Sequence, residues 1–176
     1  SRAKAYEVGG ALALSVLTET SAFGGSLNHL QTVAESVSLP VMRKDFLVHP
    51  IQVDEAAAYG ASGVLLIARL VSLPVLRQLV IRARQLQLFV LLETFDKEDI
   101  VTARQVINLH PNLLIGVNTR DLATLTVRPK ALQDLAHHLP PHCIRVAESG
   151  LRTPKDVHAA REMGFQLHLI GSALMH

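Results

Sequence analysis

The sequence predicts an α/β chain with the architecture of a (β/α)8 TIM barrel, missing one strand at the front and one helix at the back. Three observations carry that reading. Apolar strand-like runs recur at near-equal steps of roughly 23 to 30 residues, about one βα unit each. Amphipathic stretches fill the gaps between them. Nearly every strand run is apolar on both faces, as parallel strands covered by helices must be. Composition agrees: 49% of the 176 residues are hydrophobic and only 18% are charged.

The opening "SRAKAYEVGG" reads as the tail of a helix and suggests a start in the middle of something. The strand runs follow as "ALALSVLT" (11–18), "PVMRKDF" (40–46), "GVLLIARL" (63–70), "LFVLLETF" (88–95), "LLIGVNTR" (113–120), "CIRVAESG" (143–150) and "LHLIGSAL" (167–174). Between them, residues 72–87 place Leu76, Leu79, Val80 and Ala83 on one helical face. Asp96 is the expected cap of a helix over 96–110, with acidic residues in its first turn. Residues 153–165 carry Thr153 as N-cap, Pro154 at the first helical position and Gly164 at the end. The regular spacing favours a barrel over an open sheet, and no G-x-G-x-x-G follows the first strand. A complete barrel needs eight strands and ~250 residues. These residues therefore form one incomplete barrel domain, strands two to eight of the full set.

Function classes are narrowed by what the chain carries. Net charge is +2 with Lys and Arg scattered, so nucleic acid is not an expected partner. No apolar run reaches ~18 residues, so a membrane is not expected either. Cys143 is the one cysteine, read as a small buried hydrophobe in a cytoplasmic protein. Nine histidines invite a metal, but His29, His49, His110, His137, His138 and His158 are scattered without a ligand spacing and read as solvated surface. No metal or cofactor is expected.

Barrel chemistry gathers at the C-terminal strand ends. Six of the seven runs end there in polar groups or glycine: Thr18 and Glu19, Lys44, Glu93, Asn118 with Arg120, Glu148 with Ser149 and Gly150, and Gly171 with Ser172. Only Arg69 ends the third. Strand alternation puts Lys44 on one face with Met42 and Phe46, and Arg43 and Asp45 on the other. Glu93 shares a face with Leu91, Asn118 and Arg120 with Gly116, and Glu148 with Val146. Inward charges must be paired or used. An ion-pair network closing the barrel top is the bland reading, and a site is favoured because six strands contribute. Gly150 and Gly171 lie where such barrels commonly bind phosphate through backbone N–H groups, although a simple turn glycine fits the spacing equally.

The stretches "ALSVLTETSAFGGSLNHL", "LPVMRKDFLVHPIQVDEAAAYGASGVLLIARL", "IGVNTRDLATLTV", "VAESGLRT" and "LIGSALM" together closely resemble the indole-3-glycerol phosphate synthase family over essentially all 176 residues. The resemblance implies ring closure, decarboxylation and dehydration of 1-(2-carboxyphenylamino)-1-deoxyribulose 5-phosphate, without a cofactor. It implies catalytic roles for Lys44, Glu93, Asn118 and Glu148. Lys44 would act on the ribulose carbonyl side, and Glu93 as base or acid in the dehydration. Phe46 would wall the anthranilate pocket, Arg120 and Ser149 would bind substrate, and Gly150, Gly171 and Ser172 would cradle phosphate. Fusion or association with other tryptophan-pathway enzymes is a family habit. The family's usual first-strand "E-x-K-x-x-S-P-S" has no counterpart here. An isolated chain is therefore expected to be an inactive fragment with two unpaired strand edges. The competing readings are a degenerate phosphate-binding barrel and a phosphoribosylanthranilate isomerase. The second wants a catalytic cysteine, and Cys143 stands at the wrong end of its strand.

Overall fold

A computed structural model describes residues 1–121, 124, 126–128 and 130–175. Seven strands form one sheet in sequential order, every neighbouring pair parallel. They are β1 (Leu14–Leu17), β2 (Val41–Lys44), β3 (Gly63–Ile67), β4 (Phe89–Thr94), β5 (Leu113–Asn118), β6 (Arg145–Glu148) and β7 (Leu167–Leu169). The helices are α1 (Arg2–Val8), α2 (Leu27–Ser36), α3 (Ile51–Ala58), α4 (Leu73–Gln85), α5 (Lys97–Arg104), α6 (Ala131–Ala136) and α7 (Pro154–Glu162). All seven expected strands are present, alternating with helices.

Two cores show that the sheet curls into part of a barrel. The larger packs the outward strand residues against the helices, including Val64, Leu66, Val90, Leu92, Ile115 and Val117. Leu76, Leu79, Val80 and Ala83 are the buried face of α4, as the helical period predicts. Burying each large side chain of this kind contributes about 1.5–3 kcal/mol. The smaller core lies on the concave side. It joins Met42 of β2, Leu65 and Ile67 of β3, Leu91 of β4, Phe95 and Val146 of β6, with Leu167 and Leu169 of β7 packed against it. On this side Lys44 at the end of β2 also reaches past β3 to within 3.4 Å of Glu93 of β4. Three contacts also link α1 to the C-terminal end: Tyr6 Oη donates to the Leu174 carbonyl at 3.1 Å and lies 3.5 Å from Met175 Sδ, and Arg2 Nη1 lies 3.2 Å from the same sulfur. β1 pairs with β2 and β7 with β6. Among the described residues neither has a second strand partner.

Local signals explain the boundaries. Asp96 caps α5, accepting from the Asp99 N–H at 3.0 Å. That helix stops at Arg104, and a 3-10 turn, Ile107–Leu109, completes the segment expected as one helix. Thr153 and Asp156 cap α7 reciprocally, with Pro154 in the first turn. Beyond β7 the chain does not continue as strand to 174; Ser172–Leu174 form a 3-10 turn.

Candidate active site

On the concave rim, four of the residues expected from the sequence meet. Lys44 Nζ lies 3.4 Å from Glu93 Oε2, and Asn118 Nδ2 donates to Glu93 Oε1 at 2.6 Å. The Arg120 backbone N–H donates to Asn118 Oδ1 at 2.8 Å. That bond settles which end of the Asn118 amide faces Glu93. Glu93 is 1% exposed, whereas the Lys44 side chain keeps 31% of its surface. The ammonium is thus held at the mouth, and the carboxylate at the floor.

Glu148 completes the group. It is 1% exposed, and among the described residues no N–H or hydroxyl group donates to its carboxyl oxygens; its polar neighbour is the Glu93 carboxyl. Burial, and then the neighbouring Glu93, push this carboxyl well above the usual carboxylate range; Lys44 offsets them only in part. Its proton is held more tightly in the folded chain than in the unfolded one. The stability this contributes is complete below the ordinary value of 4.5 and is lost as pH rises through the raised value. Glu148→Gln removes that titration. Its melting temperature is expected to exceed the wild type's at mildly alkaline pH, with the gap closing on acidification, as a thermal-melt series against pH would show.

The remaining rim residues are distributed differently. Thr18 and Arg43 face the helices, as strand alternation requires for Arg43. Thr18 Oγ1 donates to Asp45 Oδ2 at 2.6 Å and accepts from Arg43 Nε at 3.0 Å. Burial alone would raise the Asp45 carboxyl, but the bonds from Thr18 and Arg43 hold it below its usual range. Glu19 turns back to accept from the N–H groups of Ser21, Ala22 and Phe23. Arg69 closes the third strand's end, paired with Asp96 and Asp99 and lying 5.0 Å over the Phe95 ring. These groups serve the scaffold and do not join the Lys44–Glu93 cluster.

Phe46 stands just past β2, 41% exposed, with the Phe23 ring 6.5 Å away. Phe23 was not singled out in the sequence; its loop position gave no periodic signal. After β6, Ser149 and Gly150 both adopt positive φ, 65° and 73°. A side chain on Gly150 would come within 2.9 Å of Val127 Cγ1, so glycine is required there. Ser149 holds that conformation at a cost of about 1–2 kcal/mol. Gly171 has negative φ, and among the described residues a Cβ there would meet no atom within 4 Å, so packing does not demand glycine. Ser172 begins the terminal 3-10 turn. Leu122 of the N-x-R-D-L stretch lies outside the described residues.

Histidine corrects the sequence reading at one place. His110 is not solvated but 4% exposed, its Nε2 2.8 Å from the Leu88 carbonyl and its Nδ1 accepting from Asn112 N–H. Burial pulls its pKa below the ordinary value. It anchors the turn before β5. Cys143 is buried as a free thiol, as expected. No three His, Cys, Asp or Glu side chains gather as a metal site among the described residues. None of their helices is long and apolar enough to cross a membrane.

Fold and rim define the class: a parallel (β/α) barrel with its ionisable groups collected at the C-terminal strand ends. Solved structures of that fold align with it. A Clostridium perfringens N-acetylmannosamine-6-phosphate 2-epimerase superposes with a TM-score of 0.75 at 15% identity, covering 98% of this chain and 77% of its own. A mandelate oxidase variant gives 0.70 at 17% identity, covering 97% and 58%. Residues 1–176 match the family model of indole-3-glycerol phosphate synthase. The indole-3-glycerol phosphate synthase of Mycolicibacterium vanbaalenii is 43% identical over 173 residues, and that of Streptomyces coelicolor, numbered 1, is 41% identical over 170. The chain belongs to the indole-3-glycerol phosphate synthase family. The alignments take in 98% and 97% of this chain but 62% of each relative's length.

Proposed function

We propose that these residues carry the ring-closing centre of an indole-3-glycerol phosphate synthase. Its substrate would be 1-(2-carboxyphenylamino)-1-deoxyribulose 5-phosphate. The observation that carries this reading is the Lys44–Glu93–Asn118 cluster, a partly exposed ammonium over a buried, oriented carboxylate. Ring closure needs an electrophilic carbonyl carbon, and a positioned ammonium stabilises the charge that develops on its oxygen. Loss of carbon dioxide then relieves the crowded ring carbon. Loss of water needs a base for the ring proton and an acid for the departing hydroxyl. Glu93 would serve as the base. Asn118 orients it, and Glu148 lies beside it. Phe46, with Phe23, offers the aromatic wall. Arg120 and Ser149 are the proposed contacts to substrate. Gly150, Gly171 and Ser172 are the proposed phosphate cradle, supported by the positive φ of Ser149 and Gly150. The reading includes a cytoplasmic setting, supported by the single buried thiol, and an association with other tryptophan-pathway activities.

The test is formation of indole-3-glycerol phosphate, followed by fluorescence. It is run on residues 1–176 and on the same residues extended with the flanking segments of the M. vanbaalenii relative. Product from the extended chain is the expected result. Substrate binding without product in either form would favour a degenerate binding barrel instead.

A further inference from the structure

The floor of the rim contains an omission in the sequence that the structure uses. In the ladder Gly116 of β5 stands between Glu93 of β4 and Val146 of β6, and Glu148 pairs one inward position further along, opposite Asn118. The Glu148 side chain folds back over Gly116. A Cβ at residue 116 would lie 1.8 Å from Glu148 Oε1, 2.9 Å from its Cδ and 3.1 Å from Leu91 Cδ1. These distances exclude any side chain while the Glu148 carboxyl keeps its place. Gly116 has no positive φ, so backbone conformation does not explain the glycine.

We propose that Gly116 is a positioning residue of the centre: the space left by its missing side chain seats the Glu148 carboxyl against β5, beside the Glu93 carboxyl. The titratable groups facing Glu148 are Glu93 from β4 and Lys44 from β2. β5 contributes neutral Asn118, and β7 presents Leu167 and Leu169. Among the described residues Lys44 is the one cation acting on Glu148, and it is already paired with Glu93, so a second negative charge on this floor is poorly compensated. A neutral carboxyl avoids that cost. It also spares an anionic substrate from a doubly negative floor. This role deepens the ring-closing reading and rests on it for its kinetic arm alone.

The first arm needs no activity. Side-chain carboxyl NMR of this chain, labelled with carbon-13 in glutamate, should show one resonance titrating well above the others and missing in Glu148→Gln. Gly116→Ala should move that resonance toward the ordinary range as the added methyl expels the carboxyl. An unchanged titration in Gly116→Ala overturns the proposal. If Gly116→Ala fails to fold, the double variant Gly116→Ala/Glu148→Asp, one methylene shorter, should fold; its failure also overturns it. The second arm uses the extended chain. Gly116→Ala should lower kcat by about 10²-fold, the usual consequence of misplacing a group by about 1 Å. Adding Glu148→Asp to it should recover about tenfold of that loss. Simple accumulation of the two single losses contradicts the proposal. A wild-type extended chain without product defeats the ring-closing reading but leaves the NMR arm to decide on Gly116.

Discussion

Lys44→Ala in the extended chain is expected to lower kcat/KM by about 10³-fold or more, with the fold retained. The side chain reaches the rim from the last residue of β2, and its ammonium is the positive group held over Glu93. Removing one preorganised charge from a developing oxyanion typically costs about 10²–10³ in rate. Here the same change also deprives a 1%-exposed carboxylate of its counter-charge. Lys44→Arg should restore little, because a planar fork cannot take the place of a point charge on a flexible stem. Melting curves keep the interpretation clean. Lys44 is partly exposed, so a collapse of stability in Lys44→Ala would point to a structural ion pair closing the barrel top.

Arg43→Ala is expected to have the opposite signature, a large loss of stability. The residue is adjacent in sequence and 4% exposed, yet it faces the helices. Its guanidinium reaches Thr18 at 3.0 Å, the Gln52 carbonyl at 2.7 Å, Glu55 at 3.1 Å and Asp45 at 2.9 Å. It therefore ties β1, β2 and α3 together. Truncation leaves Asp45 uncompensated and Thr18 without its donor, which costs about 3–5 kcal/mol for a buried partner of this kind. Chemical denaturation measures it directly. A loss below about 1 kcal/mol would mean the network is no better than a surface pair.

These neighbours show how much of the site was legible. Period-two alternation alone separates Lys44 from Arg43, and the structure places them on opposite sides of the sheet as that rule demands. The seven strands were equally legible, because each apolar run has to be buried on both faces. The cluster of Lys44, Glu93, Asn118 and Glu148 could be anticipated as a rim, since parallel strands all end at the same side. What the residues alone could not give is contact across strands. Thr18 ends a strand like the others, but its hydroxyl is drawn to Arg43 and Asp45. Arg69 is drawn to Asp96 and Asp99. His110 has no sequence signature of burial, because its two partners are backbone groups. Gly116 looked like a simple member of an apolar strand; only the folded position of Glu148 shows why no side chain fits. The 3-10 turn at Ser172–Leu174 likewise replaces a strand end that composition alone suggested.

Ring-closing chemistry over Lys44, Glu93 and Asn118, with phosphate at the ends of β6 and β7, is a proposal about where a substrate lies. The most direct measurement is a crystal structure of the extended chain. It would hold a substrate analogue whose ribulose ketone is reduced to a hydroxyl. That hydroxyl is expected within hydrogen-bond reach of Lys44 Nζ. The aryl ring should lie against Phe46 and Phe23, and the phosphate at Gly150, Gly171 and Ser172. An analogue bound elsewhere, with Lys44 still closed on Glu93, would contradict it.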